Sequence, residues 1–96
     1  ATLALAPAAP TNVRVKITQL ENDTNLVWDA NREPDLAGYR VVWRDTTASV
    51  WQGAIYVGNV TGAVVKGKSK DNYFFGVQAV DADGNVSVAT YPVPSR

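Results

Sequence analysis

From Val13 onward the apolar residues fall on alternate positions in short runs. In NVRVKITQ, Val13, Val15 and Ile17 alternate with Arg14, Lys16 and Thr18, the period of a strand with one buried face. In TNLVWD, Leu26 and Trp28 share one face, with Asn25, Val27 and Asp29 on the other. YRVVWRD sets Tyr39, Val41 and Trp43 against Arg40, Val42 and Arg44. VWQGAIYVG predicts a fourth strand that Gly53 weakens and whose inward face is ambiguous. VTGAVVK predicts a short fifth, YFFGVQAVD a sixth, and VSVATYPV a seventh that Pro92 and Pro94 terminate. Asn22-Asp23, ANREPDLAG, TTAS, GKSKDN and ADGN supply the turns and loops between them.

Seven short strands at turn spacings of roughly 8 to 12 residues, with no helical period after Pro10, predict an all-β sandwich. Its expected core is Val13, Val15, Leu26, Trp28, Tyr39, Val41, Trp43, Phe75, Val77 and Ala79. The opening ATLALAPAAP differs in kind. Ala1 to Ala6 favour helix, and Pro7 and Pro10 stop it and impose extended chain. Residues 1–10 are therefore expected to be a linker or the end of a preceding domain, and residues 11–96 the sandwich. Small residues near an Ala-x-Ala pattern resemble the end of a signal peptide, but the stretch has neither Met nor a basic start.

Composition narrows the chemistry. The 96 residues suit one domain with one core, and nine Lys plus Arg balance nine Asp plus Glu. That balance gives no basic footprint for nucleic acid. The absence of Cys excludes thiolate nucleophiles and Cys-based metal sites. The absence of His removes the commonest general base and the commonest transition-metal ligand. No apolar run reaches the roughly 20 residues that span a bilayer.

Four groups of residues remain as candidates. Asp81, Asp83 and Asn85 around Gly84 have the density of a calcium loop, but the twelve-residue EF-hand pattern is missing and strand-exit turn chemistry accounts for the same residues. Glu33 and Asp35 in REPD are paired carboxylates, yet a loop beside Pro34 is expected to leave them solvated. Trp43, Trp51, Tyr56 and Tyr91 could form an aromatic platform. Trp28 and Trp43 share a face with core residues and are assigned to packing, which leaves Trp51 and Tyr56 as candidate ligand contacts. Arg14, Lys16, Arg40 and Arg44 would form a basic stripe only if their strands were neighbours. Asn22, Asn59 and Asn85 match the glycosylation sequon, which is irrelevant in a bacterial source.

In order along the chain, Pro10 to Val13, Leu26-Val27-Trp28, GYRVVW, and Tyr73, Phe75, Val77, Ala79, Asp81 and Gly84 resemble the strand motifs of a fibronectin type III domain. The resemblance covers about Pro10 to Pro94. It implies a seven-stranded immunoglobulin-like sandwich in which Trp28, Tyr39, Trp43, Tyr73, Phe75 and Gly84 are structural. Tyr73 would be the tyrosine corner, its hydroxyl bonded to backbone in the preceding loop. Where the family usually carries Leu-x-Pro before that Tyr, this chain has Gly67, Lys68 and Ser69, and Val65 is the nearest substitute for the plug.

The runs NDTNLVWDANREPDLAGYRVVWRDTTASVWQ and SKDNYFFGVQAVDADG are further similar to the C-terminal fibronectin-type domain of secreted bacterial zinc aminopeptidases, hydrolases with a two-metal site. This likeness implies a non-catalytic accessory domain in a secreted or periplasmic protein. The domain would carry no cofactor, no metal and no catalytic residue of its own. It would act as a spacer, a packing partner for the catalytic domain of the same polypeptide, or a weak substrate or surface anchor. The alternative is a carbohydrate- or cell-wall-binding module that uses Trp51 and Tyr56. Short edge strands bearing Lys and Arg are expected to keep it a monomer.

Overall fold

The computed structural model describes residues 7–16, 23–68 and 73–92. Among these residues six strands form: β1 Thr11–Lys16, β2 Thr24–Asp29, β3 Leu36–Asp45, β4 Gly53–Gly58, β5 Gly62–Val65 and β6 Tyr73–Asp81. They make two antiparallel three-stranded sheets, ordered β1-β2-β5 and β4-β3-β6. The alternation that marks each strand turns one face of each sheet inward. Val13, Leu26, Trp28, Tyr39, Val41, Val65, Phe75, Val77 and Ala79 meet between the sheets, with Val15 and Trp43 half-buried against them. Trp28 and Tyr39 join the two sheets at the centre, their ring centroids 5.3 Å apart and inclined at 59°. Val65 takes a place in this core beneath the turn where the Leu-x-Pro pattern is missing.

Three sequence expectations change. There is no seventh strand among the described residues. Val86 to Thr90 follows β6 only through isolated bridges, Val80 with Val86 and Val77 with Thr90. Two residues separate Ser87 from Thr90 where one separates Val77 from Ala79, so one residue bulges out of register and the ladder breaks. Ser87 fills the break: its Oγ accepts from Ala79 N at 2.9 Å and donates to the Val88 carbonyl.

β3 begins at Leu36, inside the stretch expected to be loop, with a bulge between Leu36 and Gly38. Gly38 fits there because a Cβ would lie 2.4 Å from the Tyr56 hydroxyl and 2.6 Å from Gly58 backbone. β4 begins at Gly53, which leaves Val50 and Trp51 outside it. Its ambiguous face is set by register: Ile55 pairs with Val41 on the core side, and Tyr56 pairs with Arg40 on the outer side.

Ala1 to Ala6, the continuation of the first strand past Lys16, Asn22, and the loop from Ser69 to Asn72 lie outside the described residues. Most of the preceding loop, where a backbone partner for the Tyr73 hydroxyl is expected, therefore lies outside the described residues.

Candidate functional site

Trp51 lies on the outer face of the β4-β3-β6 sheet. The loop after β3 holds it there. Asp45 accepts hydrogen bonds from Thr47 N and Thr47 Oγ1, at 3.0 and 2.8 Å, and Gln52 Oε1 accepts from Asp45 N. The bonds from Thr47, its hydroxyl first, lower the Asp45 pKa. Arg44 donates from Nη1 to the Ala48 carbonyl, and its guanidinium stands 5.5 Å from the Trp51 ring and 4.7 Å from the Phe74 ring. Trp51 in turn stacks on Tyr91 at 5.5 Å.

The indole needs Gly76 beneath it, since a Cβ there would stand 3.2 Å from the ring and 2.9 Å from the Ala89 methyl. Val42, opposite Gly76 in the register, is only 1% exposed under this cover. Tyr56 stands elsewhere on the same sheet, 56% exposed, its hydroxyl donating to the Ala37 carbonyl at 2.9 Å. The two candidate ligand contacts therefore do not share a ring contact. The aromatic cluster is Trp51, Tyr91 and Phe74 threaded by Arg44, and a hollow of about 300 Å³ lined by Val15, Tyr73, Phe74, Phe75, Tyr91 and Pro92 lies close to it. Phe74 was not singled out from the sequence, because alternation marks it only as outward-facing, and Arg44 was singled out only as part of a basic stripe.

The acidic turn is closed on itself. Asp81 Oδ1 accepts from Asp83 N and Asn85 N at 3.0 and 2.8 Å, and Oδ2 accepts from Asn85 Nδ2 at 3.0 Å. The Asn85 side chain is the leading cause that lowers the Asp81 pKa. Gly84 has φ +86°, a conformation that glycine adopts without strain. These bonds use the carboxylate as a turn acceptor. Asp83 is exposed and points none of its oxygens into this network.

The REPD loop does something its sequence does not announce. Glu33 Oε2 accepts from Ala8 N at 2.9 Å, which is the main cause lowering the Glu33 pKa, and Asn31 Nδ2 donates to the Ala8 carbonyl at 2.7 Å. Asn31 is itself held by the buried Tyr39, whose hydroxyl accepts from Asn31 N at 2.5 Å. Two residues on, Thr90 Oγ1 donates to the Pro10 carbonyl, and Pro10 is fully buried. Pro7 to Pro10 is thereby clamped onto the domain at two points. Asp35 does not join Glu33 in a cleft, because its carbonyl accepts from Ala82 N at 2.8 Å and its side chain is exposed.

The basic residues separate as well. Arg14 and Lys16 are on β1 of one sheet, whereas Arg40 and Arg44 are on β3 of the other, so they form no common stripe. Asn59 is exposed between β4 and β5, while the Asn85 side chain is committed to Asp81. No helix of the described residues is long and apolar enough to cross a membrane.

Two sheets in this order place the chain in the fibronectin type III-like class of fold, and solved structures agree. The crystal structure of the chicken CNTN1 FN1-FN3 domains superposes with a TM-score of 0.71 at 18% identity, over 94% of this chain and 33% of that one. A fibronectin domain of human collagen XX gives 0.65 at 21% identity, over 94% and 99%. At these identities the likeness concerns the fold. No family model matches the chain.

In sequence the chain is 46% identical over 93 residues to a "Probable zinc metalloprotease" of Pyrenophora teres f. teres, covering 97% of this chain and 19% of the relative. A protein of the same description from Pyricularia oryzae is 44% identical over 95 residues, 96% of this chain and 19% of the relative. The chain thus spans about a fifth of the length of the curated relatives it matches. These relatives are fungal, whereas the likeness read from the sequence pointed to bacterial enzymes.

Proposed function

We propose that this chain is a non-catalytic accessory domain of a larger, secreted zinc metalloprotease, carried by the catalytic domain of the same polypeptide as a fixed packing partner. The observation that carries the proposal is the near-complete match to one fifth of proteins described as zinc metalloproteases. The residues present support a supporting role. The chain has no His and no Cys, and among the described residues the carboxylates are exposed or engaged in turns and in the linker clamp.

The clamp favours a rigid mount over a loose tether. A chain entering through Pro7 is gripped by Glu33, Asn31 and Thr90, so whatever precedes it leaves the sandwich in a defined direction. The finer form of the proposal, a parent that is a two-metal exopeptidase, is supported by the likeness to zinc aminopeptidases read from the sequence. The test is excision: the parent polypeptide without residues 11–96 should keep its zinc and its kcat on a small aminoacyl amide within a few-fold, while losing thermal stability. Loss of zinc or of kcat by orders of magnitude would overturn it.

A carbohydrate-binding module is the alternative that the partly exposed Tyr91 and Phe74 beside Trp51 favour. Retention on insoluble polysaccharide, abolished by Trp51→Ala, would support it. Retention unchanged by that substitution would sink it.

A further inference from the structure

β4 ends one sheet and β5 ends the other, and only Asn59, Val60 and Thr61 connect them. Their edges flank the open side of the sandwich. Natural edges are usually blunted by charge or proline. β1 follows that practice with Arg14 and Lys16, but β4 is GAIYVG and β5 is GAVV, with neither charge nor proline. Between them runs a groove of about 360 Å³ lined by Trp43, Ile55, Val57, Ala63, Val64 and Val65, with Lys66 and Lys68 beside it. Ile55 on its rim is 50% exposed and Val64 43%.

The charge has a direction. The Trp43 indole lies against Gly53, where a Cβ would come within 2.3 Å of the ring. Lys68 Nζ stands 5.3 Å from that ring and 5.0 Å from the Tyr73 ring. The Lys68 ammonium is therefore at the Gly53 end of β4. Asp23, the acid in contact with this turn, is engaged by Gly67 N at 2.8 Å.

We propose that this flank binds an extended, acidic polypeptide segment in trans by strand addition to β4. Alternate residues of an antiparallel edge direct N–H and C=O away from the sheet and can pair with a new strand. Alternate apolar side chains of that strand would fill the groove. An antiparallel segment runs opposite to β4 and so places its C-terminal end at Gly53, where its carboxylates meet the lysines. A second copy of this chain fits less well, because neither β4 nor β5 carries a carboxylate to offer them. The proposal stands on the groove and is independent of the peptidase assignment.

The test titrates an acetylated, amidated peptide of alternating threonine and valine ending in two glutamates into the ¹⁵N-labelled 96-residue chain. Amide shifts should be confined to β4, β5, Lys66 and Lys68, and β4 amides should gain exchange protection. The same peptide ending in two lysines, or the Lys66→Gln, Lys68→Gln chain with the acidic peptide, should bind roughly tenfold more weakly. Ile55→Lys changes a half-exposed edge position and should abolish binding while the chain still unfolds cooperatively. Shifts mapping away from β4 and β5, equal binding of both peptides, or undiminished binding to Ile55→Lys would overturn the proposal. So would edge shifts that appear without peptide and track a dimer mass, which would make a second copy the occupant.

Discussion

Tyr39→Phe isolates one atom at the point where the core meets the linker clamp. The ring is fully buried and packs on Trp28 at 5.3 Å, and phenylalanine preserves that contact. What disappears is the acceptor for Asn31 N, a bond of 2.5 Å between partly buried groups. Leaving a buried donor unpaired costs about 1 to 3 kcal/mol, and partial access of water to this loop sets the expectation at about 1 to 2. In a domain of this size that lowers Tm by roughly 4 to 16 °C.

The second readout separates a local loss from the clamp. Asn31 holds the Ala8 carbonyl and touches the Glu33 carboxylate that binds Ala8 N, so freeing the Asn31 backbone should loosen Ala8. Hydrogen exchange at the Ala8 amide should accelerate beyond the change expected from global stability. An unchanged Tm together with unchanged Ala8 protection would refute the mechanism. A loss above about 4 kcal/mol would instead point to repacking of the ring.

Leu26→Ala, at a fully buried position, should cost about 2 to 5 kcal/mol in chemical denaturation, a large share of total stability. Gly53→Ala forces the Trp43 indole off β4 and should cost about 1 to 3 kcal/mol with a shift in tryptophan emission; unchanged emission would contradict the close approach. The Ala8 amide shift should titrate with a midpoint below the ordinary 4.5 of Glu33, and Glu33→Gln should remove that titration. Glu33, Asp45 and Asp81 all have lowered pKa values in the folded chain, so the unfolded chain binds more protons near and below pH 4.5 and 3.8. Their contribution is complete above that window and lost as acid protonates them, which denaturant midpoints at pH 7, 4 and 3 will reveal.

The alternation of Tyr39, Val41 and Trp43 and of Phe75, Val77 and Ala79 made the central strands legible, because period two is imposed by the pleat itself. The start of β3 was not, since Pro34, Asp35 and Gly38 all carry turn chemistry, yet only Pro34 and Asp35 stay in a turn while a bulge between Leu36 and Gly38 carries Gly38 into pairing with β6. The last segment reads as a strand by composition, and only the one-residue slip around Ser87 shows why its ladder fails. Val42 was assigned to the polar side by periodicity. Its burial depends on Trp51, which arrives from a loop and needs Gly76 to be bare. The clamp was invisible for a similar reason: Ala8 and Glu33 are 25 residues apart, and no local pattern couples them. Edge chemistry was only half legible, because the Lys and Arg expected to guard the edges lie on β1 while β4 and β5 have none.

The most direct measurement is the intact mass, zinc content and peptidase activity of the natural polypeptide that carries these residues, captured with an antibody against the sandwich. A relative in which this chain is 19% of the length predicts a polypeptide about five times as long. It should bind zinc and hydrolyse peptides, and the purified 96-residue chain should do neither. A captured protein with no zinc and no peptidase activity, or peptide hydrolysis by the isolated chain that survives chelation and repurification, would contradict the account.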